Sequence, residues 1–198
     1  MATRLVSKIQ EDILLVTLES DDGYPRLERA VLDAIESEMV RLAGDAALVG
    51  CVITGTERAF GAGAEISELA ALGRSEGFAF ARRGQQAMNA VARSRKPVVA
   101  AIRSFCFGGG LDLALACHAR IATDDAVLAH PGGALGIITG WGGTQRLPQL
   151  IGKARAMEMF VTGRRVEARD AREVGLIREI VSAQRLVEAA IEIARRRS

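Results

Sequence analysis

Residues 98–120 read VVAAIRSFCFGGGLDLALACHAR, and this stretch decides how the chain folds. Its opening residues are apolar and rich in Val and Ala, which is typical of a strand buried on both faces. Three glycines follow at residues 108–110, and an apolar helix is predicted over residues 111–117. Glycine lets a backbone approach a ligand closely, and the amides at a helix start point outward without a partner. The stretch therefore predicts a strand, a loop rich in hydrogen-bond donors and a helix in series.

The same order occurs earlier in the chain. Residues 48–54 are a second apolar strand candidate, and residues 60–64 read FGAGA before a predicted helix over residues 65–72. Two such loops can aim their amides at one point and hold a negatively charged oxygen. Glycine runs also serve tight turns and close packing, so both interpretations stay open at this point.

Two common glycine-containing motifs are absent. The stretch Gly61-Ala-Gly63-Ala-Glu-Ile66 fails the dinucleotide-binding pattern G-x-G-x-x-G because its last position is Ile66. No phosphate-binding G-x-x-x-x-G-K-[ST] loop occurs anywhere in the sequence. Dinucleotide-binding and P-loop proteins are therefore excluded as classes.

The amino-acid composition excludes further classes of protein. The chain has 198 residues, a net charge of +2 and 25% charged residues. This balance, with 49% hydrophobic residues, excludes a disordered chain and the strong basic field of a typical nucleic-acid binder. Aromatic residues make up 4%, which also disfavours a base-stacking surface. We therefore expect one compact domain without a nucleic-acid partner.

The three cysteines, Cys51, Cys106 and Cys117, lie in apolar runs and include no short-spaced pair. We interpret them as buried thiols of a reducing compartment rather than as redox groups. His118 and His130 complete no zinc spacing with them, so no metal site is predicted. No apolar run approaches the roughly 18 residues that a membrane span needs. These features predict a cytoplasmic protein with no membrane partner.

Strands alternate with helices along the whole chain, which predicts an α/β layered fold. The predicted strands are residues 5–10, 12–19, 48–54, 98–102, 120–123, 126–129 and 176–181. The predicted helices are residues 65–72, 75–94, 111–117, 153–161, 167–174 and 184–196. Two more helices are expected, one opened by Pro25 and ended by Gly44, and one beginning near Thr144.

Five strings in a fixed order carry a resemblance to a known family. Residues 60–69 read FGAGAEISEL, residues 96–102 read KPVVAAI, and residues 107–120 read FGGGLDLALACHAR. Residues 136–147 read GIITGWGGTQRL, and residues 153–163 read KARAMEMFVTG. In order and spacing they resemble the signatures of the crotonase (enoyl-CoA hydratase/isomerase) superfamily over residues 5–194. The chain is therefore identified as a member, short at its C-terminus.

The resemblance implies a crotonase-like spiral of ββα repeats that acts on an acyl-CoA thioester. Coenzyme A would be part of the substrate, with no separate cofactor. In the family, two backbone N–H groups form an oxyanion hole that polarises the thioester carbonyl and stabilises an enolate, and the matching positions are Ala64 and Gly109. The expected contacts to coenzyme A are Arg26, Ala62, Gly63, Ala64 and Ile66. For Arg26, a solvated charge at a helix start is the alternative interpretation.

The chain departs from the family at the two positions that carry glutamate in hydratases. The first is Asp112, whose side chain is shorter by about 1.5 Å, and the second is Gly132, which has no side chain. Positional errors near 1 Å lower a rate by about 10²-fold, so two-glutamate hydration is in question. His130 lies two residues before the missing carboxylate, and imidazole suits proton transfer near neutral pH.

We therefore expect Asp112 and His130 as catalytic residues, and Gly132 and Trp141 in the substrate pocket. A cap or ion pair is the alternative role of Asp112. A structural role within an apolar strand is the alternative for His130.

The resulting hypothesis is a lyase of acyl-CoA and fatty acid metabolism that resembles enoyl-CoA hydratase. The alternatives are another crotonase reaction (isomerisation, decarboxylation or thioester hydrolysis) and a CoA-binding pseudoenzyme subunit. Residues 1–182 are expected to form the crotonase core, and residues 183–198 a helix that remains of the family's helical trimerisation segment. The resemblance implies a homotrimer or a dimer of trimers, with another crotonase-like chain as an alternative partner.

Overall fold

A computed structural model describes residues 2–196, and these residues alternate strands and helices. The strands are β1 Thr3–Gln10, β2 Ile13–Ser20, β3 Gly50–Thr54, β4 Ala59–Gly61, β5 Val98–Ile102, β6 Phe105–Phe107, β7 Ala119–Ala122, β8 Val127–Ala129, β9 Val166–Glu167 and β10 Glu179–Ile180. The helices are α1 Arg29–Gly44, α2 Ile66–Ala71, α3 Arg74–Ala92, α4 Gly109–Ala116, α5 Gly143–Ile151, α6 Lys153–Thr162, α7 Ala168–Glu173 and α8 Leu186–Arg196. Short 3₁₀ turns lie at Pro131–Leu135 and Ala183–Arg185.

The strands form two sheets that the chain visits in turn. The large sheet has the order β1-β2-β3-β5-β7-β10, and the small sheet has the order β4-β6-β8-β9. Strands β1 and β2 form an antiparallel hairpin, and the other strands of the large sheet pair in parallel. Each of β3, β5 and β7 is followed by a strand of the small sheet and then by a helical segment. This order confirms the predicted α/β spiral of ββα repeats.

Both faces of the large sheet are covered. One face contributes Leu14 and Ile53 to the main core, which includes α1, α3 and α4. The other face contributes Val52 and Val99 to a second core, which helix α8 covers with its apolar side. The predicted boundary at residue 182 falls just before the turn that leads into α8, while residues 1, 197 and 198 of the predicted segments lie outside the described residues.

The three cysteines are free and buried, as predicted. Burial raises the pKa of each thiol, so all three remain protonated at neutral pH. Among residues 2–196, no helix combines the length and the apolar character that crossing a bilayer requires.

The prediction that Pro25 opens a helix is wrong, because α1 begins only at Arg29. The residues between Pro25 and Arg29 form hydrogen bonds with the first glycine loop instead. The Pro25 carbonyl accepts a hydrogen bond from the Ala62 N–H, and the Leu27 N–H donates to the Gly63 carbonyl. The Pro25 carbonyl is thus diverted from the hydrogen bond that would close a first helical turn, and both contacts hold the glycine loop in place.

The predicted strand over residues 176–181 shortens to Glu179–Ile180. Its first two amides, from Leu176 and Ile177, donate to the Ala171 carbonyl at the end of α7. Strands β4 and β6 of the small sheet were not predicted, because each spans three residues and shows no visible alternation.

Two glycines allow helix α4 to lie directly on strand β4. A Cβ atom on Gly110 would lie 2.5 Å from the Gly61 carbonyl oxygen, and a Cβ on Gly61 would lie 3.0 Å from the Gly110 Cα. The two backbones are therefore in direct contact, which sets the start of α4 beside the first glycine loop. The close-packing interpretation of the glycine runs holds at these two positions.

We expect Gly110→Ala to destabilise the protein, although alanine favours a helix over glycine by about 1 kcal/mol. The added methyl group fits only if α4 moves away from β4, and overpacking of this kind costs typically about 1–3 kcal/mol. Urea unfolding measures the difference. The matched control is Gly44→Ala at the end of α1, where nothing lies within 4 Å of the added Cβ. Equal free energies of unfolding for the two variants would contradict the role of this contact.

Candidate active site

A cavity of about 370 Å³ opens between the two glycine loops, helix α3 and the loop over residues 131–142. Its wall includes most of the residues singled out from the sequence, namely Ala62, Gly63, Ala64, Ile66, Gly109, Asp112, His130, Gly132 and Trp141. Apolar side chains that the sequence did not single out complete much of the lining: Leu69, Leu72, Phe80, Leu135, Ile137, Ile138 and Phe160. A mainly apolar cavity with a few converging polar groups is the usual form of a small-molecule site.

The two glycine loops meet at one wall of the cavity. Gly63 has a φ of +96°, which side chains disfavour, and a Cβ there would lie 3.6 Å from the Gly109 nitrogen. Within residues 2–196, neither the Ala64 N–H nor the Gly109 N–H donates to a backbone carbonyl. The Gly109 amide also stands at the first position of α4, at the positive end of the helix dipole. Two amides with free hydrogen-bonding capacity therefore line the same wall.

Asp112 is buried in the first turn of α4, with a relative exposure of 1%. The Thr139 hydroxyl donates a hydrogen bond to its Oδ2 atom, whereas Oδ1 has no hydrogen-bond partner in the part of the chain that the structure describes. Burial raises the pKa of this carboxyl from 3.8 to about 6. The Thr139 hydrogen bond, the charge of Arg146 and the backbone amides of Gly143 and Trp141 oppose this rise in pKa, and burial prevails. Asp112 is thus mostly ionised at pH 7, and it takes up a proton about one pH unit below that value.

The sequence suggested that His130 lies within an apolar strand. In the structure it directly follows β8, which ends at Ala129. Its ring is buried and packs against Phe160, with 5.3 Å between the ring centroids. Neither ring nitrogen has a hydrogen-bond partner within residues 2–196, and Nε2 lies 3.9 Å from Asp112 Oδ1. Burial lowers the pKa of His130 from 6.5 to about 4, so the imidazole is neutral at pH 7. The pair is therefore a neutral imidazole beside a carboxylate, at a distance too long for a direct hydrogen bond.

Trp141 forms part of the cavity wall and is 4% exposed. Its indole ring lies between Gly84 of α3 and Gly109 of α4, and a Cβ at either glycine would overlap the ring. Phe80 contacts it at a centroid distance of 5.4 Å. The expectation that Trp141 shapes the cavity agrees with this position, and the fit depends on two glycines that no local pattern connects with a tryptophan.

Residues 8–197 match a family model described as Enoyl-CoA hydratase/isomerase. The chain belongs to the enoyl-CoA hydratase/isomerase family. A probable enoyl-CoA hydratase from Rhizobium meliloti (strain 1021) is 35% identical over 190 residues, which are 96% of this chain and 73% of that protein.

Solved structures of similar proteins support the same conclusion. An enoyl-CoA hydratase from Bacillus anthracis has a TM-score of 0.91 and 35% identity, over 97% of this chain and 75% of that one. Pseudomonas aeruginosa DspI has a TM-score of 0.92 and 31% identity, over 97% of this chain and 79% of its own. The predicted crotonase superfamily and fold are therefore confirmed.

One residue expected near the ligand is engaged elsewhere in this enoyl-CoA hydratase/isomerase family member. Arg26 does not line the cavity, and its guanidinium forms ion pairs with Asp22 at 2.8 Å and with Glu65 at 2.9 Å. Glu65 also accepts a hydrogen bond from the Ser67 N–H and so caps α2. The contact of Arg26 with coenzyme A stays a prediction, and two carboxylates of the protein already neutralise the charge of its guanidinium.

The site also contains a residue that the sequence did not single out, Thr139, and a glycine, Gly132, whose surroundings leave no room for a side chain. The sequence did not predict a role for Thr139, because a threonine in a glycine-rich loop belongs to no recognisable motif and its partner Asp112 is 27 residues away. Gly132 lines the cavity, but a Cβ there would lie 2.8 Å from the Ile137 carbonyl oxygen, so the position has no room for a side chain. Asp112 is the only carboxylate in the cavity wall among the described residues, and residues 2–196 contain no cluster of three or more potential metal ligands.

The opposite pKa shifts of Asp112 and His130 determine how stability depends on pH. Between pH 3.8 and 6 the folded state binds more protons at Asp112 than the unfolded chain does, so the free energy of unfolding falls as pH rises. Between pH 4 and 6.5 the folded state binds fewer protons at His130, so the free energy of unfolding rises. Each slope is about 1.4 kcal/mol per pH unit, and the two nearly cancel where they overlap.

We expect single substitutions to reveal each contribution in urea unfolding at a series of pH values. In Asp112→Asn the remaining histidine should make stability rise from pH 4 to 6.5. In His130→Phe, which keeps a ring against Phe160, the remaining carboxyl should make stability fall from pH 3.8 to 6. Variants that keep the wild-type pH dependence would show that these groups are not buried together.

The packing of Trp141 gives a second prediction, because it is the chain's only tryptophan and its fluorescence reports on the cavity. A methyl group in Gly84→Ala would overlap the indole, so the ring should move toward water and its emission to longer wavelengths. Gly77→Ala, on the same helix with nothing within 4 Å of its Cβ, is the matched control and should leave the spectrum unchanged. Identical spectra for both variants would mean that Gly84 does not hold the ring.

Proposed function

We propose that the cavity binds an acyl-CoA thioester and that the protein is an enzyme resembling enoyl-CoA hydratase. The observation that carries this proposal is the meeting of two loop amides and a buried carboxylate in one apolar cavity, with one carboxylate oxygen unpartnered. Membership of the enoyl-CoA hydratase/isomerase family, and similarity to proteins named enoyl-CoA hydratase, support the substrate class.

The thioester carbonyl oxygen would accept hydrogen bonds from the N–H groups of Ala64 and Gly109. When an enolate forms, this oxygen carries the negative charge, so the same two donors bind the intermediate more strongly than the substrate. The apolar lining strengthens both interactions because it excludes water. Loss of one such donor in other enzymes costs about 3–4 kcal/mol of transition-state stabilisation. The two amides therefore account for a large part of the expected rate enhancement.

The coenzyme A moiety would run along the backbone from Ala62 to Ile66 and leave the cavity there. Ile66 supports this path because its side chain is apolar and 58% exposed at the cavity edge. Arg26 could bind a phosphate only by exchanging one of its two carboxylate partners.

Asp112 would act first as base and then as acid. The attacking water would be held by Oδ1 and His130 Nε2, which lie 3.9 Å apart and have no hydrogen-bond partner among the described residues. Asp112 removes a proton from the water as the water oxygen bonds to C3 of the enoyl group, and the C2–C3 π electrons move to form the enolate. The protonated carboxyl then gives its proton to C2, and the carbonyl is restored. The sum is the addition of one water, and a pKa of about 6 suits both transfers.

Isomerisation of the double bond is the second candidate, and the observation that favours it is that Asp112 is the one carboxylate in the cavity wall among the described residues. The carbonyl of Ile137 occupies the space where a second carboxylate would begin. One carboxylate is enough to remove a proton from one carbon of an acyl chain and return it to another, without any water.

Crotonyl-CoA tests the hydratase proposal directly. We expect the wild type to remove the absorbance of the conjugated enoyl thioester and to form a product heavier by one water. Asp112→Asn should lower kcat by about 10²–10⁴-fold, while thioester binding, followed by Trp141 fluorescence, persists. Asp124→Asn, at an exposed carboxylate, is the matched control and should retain full activity. Undiminished turnover by Asp112→Asn would remove this residue from the mechanism.

A 3-enoyl-CoA separates the two candidate reactions. An isomerase would move the double bond into conjugation, whereas a hydratase would leave the compound unchanged. Binding of CoA thioesters without either reaction would contradict both candidates and favour a CoA-binding pseudoenzyme.

A further inference from the structure

We propose that Thr139 is a positioning residue for Asp112: its hydroxyl fixes one carboxylate oxygen so that the other stays turned toward His130 and the cavity. This inference rests on the proposed function only for the role of Asp112 in proton transfer. Thr139 itself does not react.

The hydrogen bond joins two parts of the chain that are 27 residues apart. Asp112 lies on α4, and Thr139 lies in the loop that leads into α5. Among the described residues, this is the one side-chain hydrogen bond that Asp112 makes, and it engages Oδ2 alone. The backbone amides of Gly143 and Trp141 also favour the ionised carboxylate, but the Thr139 hydroxyl contributes more than either of them. Because a carboxylate turns about its last bond, this strongest donor, held on one oxygen, sets where the other oxygen points.

The remaining oxygen is confined rather than solvated. Gly143 leaves the space beside Oδ1, since a Cβ at that glycine would overlap the oxygen and would also lie 3.1 Å from His130 Nε2. Oδ1 and both nitrogens of His130 are buried, and none of the three has a hydrogen-bond partner among residues 2–196. Oδ1 and His130 Nε2 therefore face each other 3.9 Å apart beside the Gly143 backbone, and Thr139 keeps the carboxylate from turning away from the imidazole.

The groups around Asp112 show why a hydroxyl matters here. His130 from the end of β8, Arg146 from α5 and the Cys106 thiol from β6 are the titratable or charged groups close enough to interact with it. Of the neighbouring side chains, Thr139 alone donates a hydrogen bond to the carboxylate, and it carries no charge. The hydroxyl stabilises the ionised carboxylate and does not itself titrate, so it adds no second acid–base group to the site.

The decisive experiment is a carboxyl titration by ¹³C NMR in the full-length protein labelled at aspartate, with the Asp112 signal assigned by its loss in Asp112→Asn. Thr139→Val keeps the shape of the side chain and removes the donor, so the pKa of Asp112 should rise by about one unit. Thr139→Ser keeps the donor and should titrate like the wild type. Thr144→Val, on the adjoining helix and outside the cavity wall, is the matched control and should also titrate like the wild type.

The outcomes are distinct. A wild-type titration in Thr139→Val, or an equal rise in Thr139→Val and Thr139→Ser, would overturn the proposal. If Thr139→Val does not fold, judged by thermal unfolding, Thr139→Ala is read by the same criteria. The titration requires no turnover, so it decides the role of Thr139 even if crotonyl-CoA proves not to be a substrate.

Activity provides the second readout. With crotonyl-CoA, the acidic limb of the kcat/KM profile should move to higher pH by the same amount in Thr139→Val and return in Thr139→Ser. A uniform loss of activity at every pH, with the limb in its wild-type place, would indicate a merely structural role and overturn the proposal.

Discussion

Direct contact between the backbones of Gly61 and Gly110 is the constraint on which the rest of the site depends. The two loops follow strands β4 and β6, which are neighbours in the small sheet, so the sheet brings them close and the missing side chains let them touch. The next pair of glycines along the two segments is Gly63 and Gly109, where a Cβ on Gly63 would lie 3.6 Å from the Gly109 nitrogen. A side chain at Gly61 or Gly110 would separate the loops and with them the amides of Ala64 and Gly109. The two interpretations of the glycine runs, close packing and hydrogen-bond donation, are therefore parts of one arrangement.

That arrangement has an energetic cost at Asp112. Keeping a carboxyl ionised at pH 7 when its folded pKa is about 6 rather than 3.8 costs about 3 kcal/mol. The neutral imidazole of His130 adds a cost of its own below pH 6.5, because the unfolded chain would bind the proton that the folded chain excludes. Neither group satisfies the other at 3.9 Å. Buried polar atoms without partners are rare in folded proteins, and a site that must bind something polar explains them better than the packing of the core does.

The sequence was sufficient where a feature is encoded within a few consecutive residues. The apolar run of β5 and the glycines around the start of α4 predict their elements closely, and the signature strings identify the superfamily. The failures concern groups that meet across the chain. Pro25 opens no helix because it hydrogen-bonds to a loop more than thirty residues away. The hydrogen bond from Thr139 to Asp112 and the placement of Trp141 against Gly84 likewise join segments with no common local pattern. Strands as short as β4 and β6 exist only because a neighbouring strand pairs with them.

The loop over residues 131–142 carries both Gly132 and the residue that contacts Asp112. It turns back on itself through the Ile137 N–H, which donates to the Gly132 carbonyl at 3.0 Å, and through Gly136, whose φ is +69°. This turn places the Ile137 carbonyl where a side chain on residue 132 would begin. The same loop continues to Thr139, whose hydroxyl reaches Asp112. Under the proposed function, one loop conformation therefore excludes a second acid and orients the first. A single oriented carboxylate with a pKa near 6 must then both take and return the proton, so the chemistry this site favours is that of one acid–base group acting twice.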